Sequence, residues 1–456
     1  MAVRTRIEIG GVRWWLGRGA DREATSGLLR DALESLRSGA SPNLKSGRRK
    51  QLYPLDLLES GAPDHLLKVN DYGRAAGLRR AIRGSKARHE LEMAEQVAAQ
   101  GIPTALPLAA GELRSGARLL TCYLLMPILE EVVDLRRLWL AETMSPRERH
   151  ALVMAFGALS RQVHDAGVFQ SDFAPNNFLV RRGVLPEIFM IDFERARLRS
   201  ANRESARRFM LAKIDRELAG APVGDRIRFL AAYCEGDLAE ARRWWRRVEG
   251  FAPKLAGRDF ARMTRTTTRA GRRFRRLSHR AWRGYARVDS DQAQLLGALP
   301  EERVSAGTIR VDALGALWRI RYGGIRPSEG RRIWVTANFL SARGGLCPRP
   351  LGAWSRADQT VLLLERRPGS QPLSQCPDHR RALAATRVLL DRVVALAEVR
   401  EPPLPEALVF ESGEGAGLRA SLLAPHGIRV GRTPGRGRRE RVSELIQSLR
   451  ERRAES

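Results

Sequence analysis

Between His164 and Arg197 the chain reads HDAGVFQSDFAPNNFLVRRGVLPEIFMIDFERAR, and three of its polar residues stand at a spacing that chemistry can use. Asp172 lies five residues before Asn177, and Asp192 follows the apolar run Phe189, Met190, Ile191. A tight loop over Asp-x4-Asn lets one carboxylate face an acceptor hydroxyl while an amide oxygen faces a metal, and a second carboxylate at a strand end adds a second hard oxygen ligand. Phosphoryl transfer asks for that set, with a cation on the donor phosphates. An unpaired carboxylate carried out of an apolar run is costly, which favours a working role for Asp192 over an incidental turn. His164, just ahead, reads as a residue that packs and hydrogen-bonds rather than as a base.

A candidate for the cation comes from composition. Only six lysines, Lys45, Lys50, Lys68, Lys86, Lys213 and Lys254, occur among 80 basic residues, so arginine is this chain's default. Lys68 sits inside His65-Leu66-Leu67-Lys68-Val69, a strand candidate, where it is either a snorkelling edge lysine or a deliberate internal charge.

The elements that must position these groups follow from periodicity. The first 70 residues read as a helix, Arg22 to Leu36, followed by strands near Asn43 to Lys50, Leu52 to Leu57 and His65 to Val69. A helix from Ser85 to Gln100 has Ser85 as N-cap and Gly101 just beyond its end. Ala117 to Leu129 is an apolar run suited to a buried strand leading into a connection, and Pro146 to Ala166 is a second long helix. Short strands at Asn177 to Val180 and Ile188 to Phe193 frame the Arg181-Arg182-Gly183 turn.

Charge narrows the partners. With 80 basic and 51 acidic residues the formal charge is +29, which predicts polyanionic neighbours such as anionic glycolipid, an anionic membrane face or nucleic acid. Residues 241–290 concentrate it, with 16 basic against three acidic residues and Trp244, Trp245, Phe251, Phe274 and Trp282 interleaved. Such a stretch is either a polyanion-binding surface or a solvated helix face with inward aromatics. No nucleic-acid recognition motif accompanies it, so nucleic acid is the weakest of the three partners. Cys122, Cys234, Cys347 and Cys376 have no metal-ligand spacing, and the first 20 residues lack an apolar core, so a cytoplasmic, reducing location is expected, at most at the inner face of the cytoplasmic membrane.

The order of elements recurs. Gly101 to Leu129 and the segment from Gly345 share a Gly, following prolines, a small-residue strand, a polar turn and an apolar strand. A strand candidate and a helix precede each (His65 to Val69 and Ser85 to Gln100; Leu317 to Tyr322 and Arg331 to Arg343), and a helix follows each (Pro146 to Ala166; His379 to Val399). A duplicated domain is expected. The second copy has no lysine in its strand, no Asp-x4-Asn and no Asp-Phe, so it is degenerate.

With these shapes in view, residues 40 to 240 resemble the lipopolysaccharide kinase (Kdo/WaaP) family of the protein-kinase-like superfamily. The resemblance rests on Leu-Leu-Lys at Lys68, His-Glu-Leu-Glu and Gly-Ile-Pro between His89 and Pro103, His-Asp-Ala-Gly at His164, and Ile-Asp-Phe-Glu-Arg-Ala-Arg at Ile191. It implies an α+β, bilobal kinase-like fold. Residues 1–250 would be the catalytic domain (lobes 1–127 and 128–250), 251–300 a basic linker, 301–430 the degenerate kinase-like domain and 431–456 a basic tail. It implies a kinase using ATP and Mg²⁺ on a sugar hydroxyl of an anionic glycolipid. By the same likeness Asp172, Lys68 and Glu90 are catalytic, with Glu92 and Glu95 as alternative partners of Lys68. Lys45, Gly47, Lys68 and Met126 contact the nucleotide, and Asn177 and Asp192 hold the metal. Gln170 stands where the family pattern has His, Glu194 where it has Gly, and Lys45 to Lys50 carries one glycine where kinases have several. A catalytically weak scaffold that binds an anionic partner is the reading of a different class.

Overall fold

The computed structural model describes residues 5–39, 50–58, 60–140, 144–183, 185–200, 203–217, 223–342, 346–372, 375–376, 378–399, 408–412, 418–422, 425, 428–430 and 438–454. The chain divides into two units. The first comprises Met1–Leu138, Ser145–Met210 and Ile227–Arg242; the second comprises Trp139–Met144, Leu211–Arg226 and Arg243–Ser456. Helices and antiparallel sheets alternate in blocks, so the mixed α and β content expected from the sequence holds.

The first unit opens with a hairpin that the sequence reading passed over, β1 (Arg6–Ile9) and β2 (Val12–Leu16). Its arginines alternate outward while Val12, Trp14 and Leu16 are buried. Then follow α1 (Arg22–Ser38), β3 (Lys50–Leu55), β4 (His65–Asp71), α2 (Arg74–Arg83), α3 (Lys86–Ala98), β5 (Ala109–Ser115) and β6 (Arg118–Pro127). Six strands form one sheet in the order β1-β2-β5-β6-β4-β3, which puts β4 inside it, between β6 and β3. Trp14 faces Gly111 across the β2–β5 pair, and a Cβ at residue 111 would stand 2.7 Å from the indole, so only glycine fits. There follow β7 (Val132–Asp134), α4 (Leu135–Leu140), α5 (Pro146–Asp165), β8 (Val168–Gln170), β9 (Phe178–Arg181), β10 (Glu187–Met190), β11 (Ala196–Leu198), α6 (Glu204–Glu217), α7 (Val223–Tyr233) and α8 (Leu238–Glu249), of which α4, α6, α7 and α8 each have residues in both units. Ser145 and Glu148 close a capping box on α5, satisfying two otherwise orphaned amides at its start.

The second unit corrects two expectations. Residues 251–300 are not a linker. They hold α9 (Ala252–Thr267), β12 (Phe274–His279), β13 (Trp282–Arg287) and α10 (Gln292–Gly297), and β13 pairs with β16 (Pro350–Arg356). Along β12 Phe274 points in and Arg276 and Ser278 point out, so a half-buried edge strand presents in sequence as a charge run. With β14 (Ile309–Leu314), β15 (Leu317–Gly323) and β17 (Gln359–Glu365) the sheet order is β12-β13-β16-β17-β15-β14, with α11 (Pro327–Ser341) between β15 and β16. Beyond it lie β18 (Gln371–Pro372), α12 (His379–Leu396), β19 (Ala397–Val399), β20 (Leu408–Ser412), β21 (Leu418–Leu422) and β22 (Ile428–Val430). Nor is the end of the chain a surface tail: in α13 (Arg438–Ala454), Val442, Leu445, Ile446 and Leu449 lie on one face and are buried in this unit's core. All four cysteines are buried and none is in a disulfide. Among the described residues no helix is long and apolar enough to cross a membrane.

Candidate active site

Lys68 is the fourth residue of β4, opposite Leu52 of β3 and Leu124 of β6, and is buried. Its partner comes from α3, whose start is fixed by Ser85 Oγ accepting from the Arg88 amide at 3.1 Å. That cap sets the helix rotation that turns Ala87, Glu90, Leu91 and Ala94 inward. Lys68 Nζ donates to both carboxylate oxygens of Glu90, at 2.8 and 2.7 Å, with the two residues 5% and 3% exposed. The alternatives for this role have other partners: Glu92 bonds Arg88, and Glu95 accepts from the Arg18 amide at 2.8 Å.

Asp192 completes the cluster, with Oδ1 3.1 Å from Lys68 Nζ. It follows β10 in the left-handed region (φ 59°), a backbone conformation that costs a non-glycine residue free energy and turns its carboxylate out of the strand line. Gln170, in the place of the family's His, is fully buried and donates from Nε2 to the Asp192 carbonyl at 2.7 Å, so it braces that turn. Asn177 holds the opposite side. Its amide donates to the Asp172 carbonyl at 2.6 Å and its own carbonyl accepts from the Ile191 amide at 2.9 Å, which ties the Asp-x4-Asn loop to the residue before Asp192. Asp172 itself is half-buried. The Gly-Ile-Pro loop is fastened to the same strand, since Pro103 accepts from the Met190 amide at 2.9 Å.

Four groups here escaped the sequence reading as members of the site. Glu194 pairs with Lys86 Nζ of α3 and lies 3.5 Å from Lys50 Nζ of β3, which in turn is 3.7 Å from Asp192. His89 Nε2 meets the Ala196 carbonyl at 3.0 Å, adding another tie from α3 to the segment after Asp192. Three of the six lysines therefore converge on two carboxylates, and lysine scarcity was the signal that could have found them.

The electrostatics follow from this crowding. Burial pulls the Lys68 ammonium down, but the Glu90 and Asp192 carboxylates outweigh it and hold Lys68 above the ordinary lysine range, charged at any physiological pH. Burial raises Glu90 against the pull of Lys68. For Asp192 burial is overcome by Lys68 and Lys50, which keep its carboxyl below the usual range; Lys86 does the same for Glu194. Asp192 and Asn177 offer hard oxygen donors with no thiolate or imidazole beside them, a donor set that fits Mg²⁺. Among the described residues no group of three or more His, Cys, Asp or Glu could hold a metal, so any ion here would keep waters or donor phosphates as its other ligands. Met126, one residue before the end of β6 and opposite Leu66, is half-buried beside the core under α3. Lys45 and Gly47 lie outside the described residues. His164 is wholly buried, with Nδ1 2.9 Å from Tyr233 Oη, and burial holds its pKa near about 3, as suits a neutral structural imidazole.

Residues 76–233 match the model of the lipopolysaccharide kinase (Kdo/WaaP) family. Over that stretch the resemblance read from the sequence holds, and it marks the chain as a kinase, a phosphotransferase with an alcohol group as acceptor. A solved structure of WaaP in complex with acyl carrier protein aligns over 53% of this chain and 99% of its own, at 23% identity and a TM-score of 0.41, too slight a likeness to weigh. No curated protein matches the chain.

Proposed function

We propose that the first unit transfers the γ-phosphoryl group of ATP to a sugar hydroxyl of a lipopolysaccharide-core-like, anionic glycolipid, using Mg²⁺. The observation that carries the reading is the buried Lys68–Glu90 pair closed by Asp192 at 3.1 Å, most of it within the stretch that matches the kinase family. An ammonium held charged in an apolar setting can grip donor phosphates without reorganising, and preorganised charge of this kind supplies much of the rate in phosphoryl transfer. Asn177 and Asp192 would hold the metal, whose charge neutralises phosphate oxygens. Asp172 orients the acceptor hydroxyl and takes its proton late. Met126 lies where the base of the nucleotide would rest, and the loop bearing Lys45 and Gly47 would cover the phosphates. The sheet and the helical part then act as two lobes, and the second unit is a degenerate copy of the first lobe, supported by its identical strand order. The charge of +29 suits work at an anionic, cytoplasmic membrane face.

The test is phosphate incorporation by purified protein with ATP and Mg²⁺ against core glycolipid, free sugars and generic protein substrates. Incorporation into glycolipid is expected. Well-folded protein without Mg-dependent nucleotide binding would overturn the reading in favour of a scaffold.

A further inference from the structure

The second unit holds an open cavity of about 620 Å³ walled by the end of α9, the turn into β12, β13 and the last turn of α11. Arg262, Arg265 and Arg269 follow one another along and just past α9 at spacings of three and four, so they share a face. Arg272 and Arg273 enter from the turn. All five are exposed, and among the described residues none makes an ion pair. Other arginines of this unit are neutralised, Arg280 by Glu301, Arg319 and Arg321 by Asp312, and Arg349 by Asp289. The acid in the wall, Asp259, is engaged by Arg216, and Arg287 is engaged by Asp289 at 3.0 Å. The lining also includes Met263 and Phe274, an apolar surface beside the cations.

Like charges gathered round one hollow repel each other, and no described carboxylate is free to offset them. A ligand with several anionic groups would. Guanidinium forks bind phosphate oxygens in pairs, and a cavity of this size takes a sugar-sized body whose carbon face lies on Met263 and Phe274. A merely solvated arginine face would spread its charges outward; here they line a concavity. We propose that this cavity is a binding site for a compact molecule carrying two or more phosphate groups, free in solution or displayed as a lipid headgroup. The proposal is independent of the kinase reading, because it concerns binding in the other unit.

The experiment is calorimetric titration of the full chain with inositol hexakisphosphate, glucose bisphosphate and inorganic phosphate, alongside cosedimentation with phosphatidylcholine vesicles with and without phosphatidylinositol bisphosphate. Wild type is compared with the triple variant R265Q/R269Q/R272Q and with R303Q/R310Q/R326Q, which removes equal charge from exposed positions of the same unit outside the cavity. Saturable binding of a multiply phosphorylated probe is expected, weakened about tenfold or more by the cavity variant and less than about twofold by the control, with Mg-nucleotide binding unchanged in both. Loss confined to soluble probes identifies a free molecule; loss also on phosphorylated vesicles identifies a headgroup. Equal weakening by the two variants, which is the signature of bulk charge, or no saturable binding of any probe, overturns the proposal. Should the triple variant fold poorly, R272E alone, in the exposed turn, reads the same effect.

Discussion

The two six-stranded sheets share one strand order and differ in what they bury at the centre. In the first, the fourth residue of the inner strand is Lys68, bonded to Glu90 of the following helix. In the second, the fourth residue of the corresponding strand β15 is Ile320, fully buried, and α11 faces the sheet with Ile333, Trp334 and Ala337. The acid of α11, Glu329, sits in its first turn near half-buried Arg332. Packing features recur where charge does not. Trp14 faces Gly111 in one sheet, and in the other Gly284 faces Trp354 across the matching strand pair, the large and small partners exchanged. Charges near β15 stay within a hairpin, Arg319 and Arg321 on Asp312, whereas Lys68 joins a strand, a helix and a loop. The sheet can evidently be built without a buried ion pair. Such pairs seldom stabilise a fold over apolar residues of like volume, so stability does not by itself account for the pair in the first unit.

The contrast can be broken most sharply at Asp192. D192N should remove Mg-dependent nucleotide binding and lower turnover about 10³-fold or more, while D312N in the second unit leaves both unchanged; isothermal titration and steady-state assays decide. A D192N enzyme with near wild-type turnover would show that the first cluster is as structural as the second. The reverse exchange asks what the second core tolerates. Putting a lysine at Ile320, where neither a carboxylate nor water is at hand, should destabilise by about 3 kcal/mol or more in chemical denaturation. A smaller loss would mean that this interior admits charge and that the contrast is one of history rather than physics.

What could be read beforehand follows the range of the signal. Asp172, Asn177 and Asp192 are marked by local spacing, Lys68 by the scarcity of lysine and Glu90 by the family resemblance, and the fold does bring Lys68 within hydrogen-bonding distance of Glu90 and Asp192. Helix starts were equally legible, because a cap such as Ser85 or Ser145 acts within its own turn. The links from Lys86 and Lys50 to Glu194 cross 108 and 144 residues, and no periodicity records them. Gln170 looked like a lost residue, yet an amide reaches the Asp192 carbonyl. The hairpins β1–β2 and β12–β13 were missed for one reason: edge strands with arginine on the outer face carry too weak an alternation to stand out from a basic stretch.

Converting the first cluster into the second sharpens the comparison further. K68M alone strands Glu90 and should cost stability, but K68M/E90M replaces the pair with apolar side chains and should be within about 1 kcal/mol of wild type, or more stable. Turnover should nevertheless fall about 10²-fold in both, and in K68R as well, since a planar fork does not replace a compact ammonium bonded to three oxygens. A double variant that unfolds would make the pair a structural element after all.

The smallest expected effect separates the units by acid. His164 lies in α5 with its ring fully buried, and burial, with Arg207 adding to it, lowers its pKa from 6.5 to about 3. The folded protein therefore keeps this imidazole neutral while the unfolded chain takes up a proton below pH 6.5. Its contribution to stability is complete above that pH and is lost progressively as pH falls from 6.5 toward 3; at pH 5 the loss is about 2 kcal/mol. Asp192 and Glu194, also held low, have ordinary values of 3.8 and 4.5, so they erode stability only in a lower window. Among the described residues the second unit buries no histidine. Between pH 7 and pH 5 hydrogen exchange should accordingly lose protection in α5 while β15 and β17 keep theirs. H164N, which retains a polar atom toward Tyr233 and cannot take the proton, should flatten that response. If both units soften together, or if H164N stays acid-sensitive, the lability does not originate in this histidine.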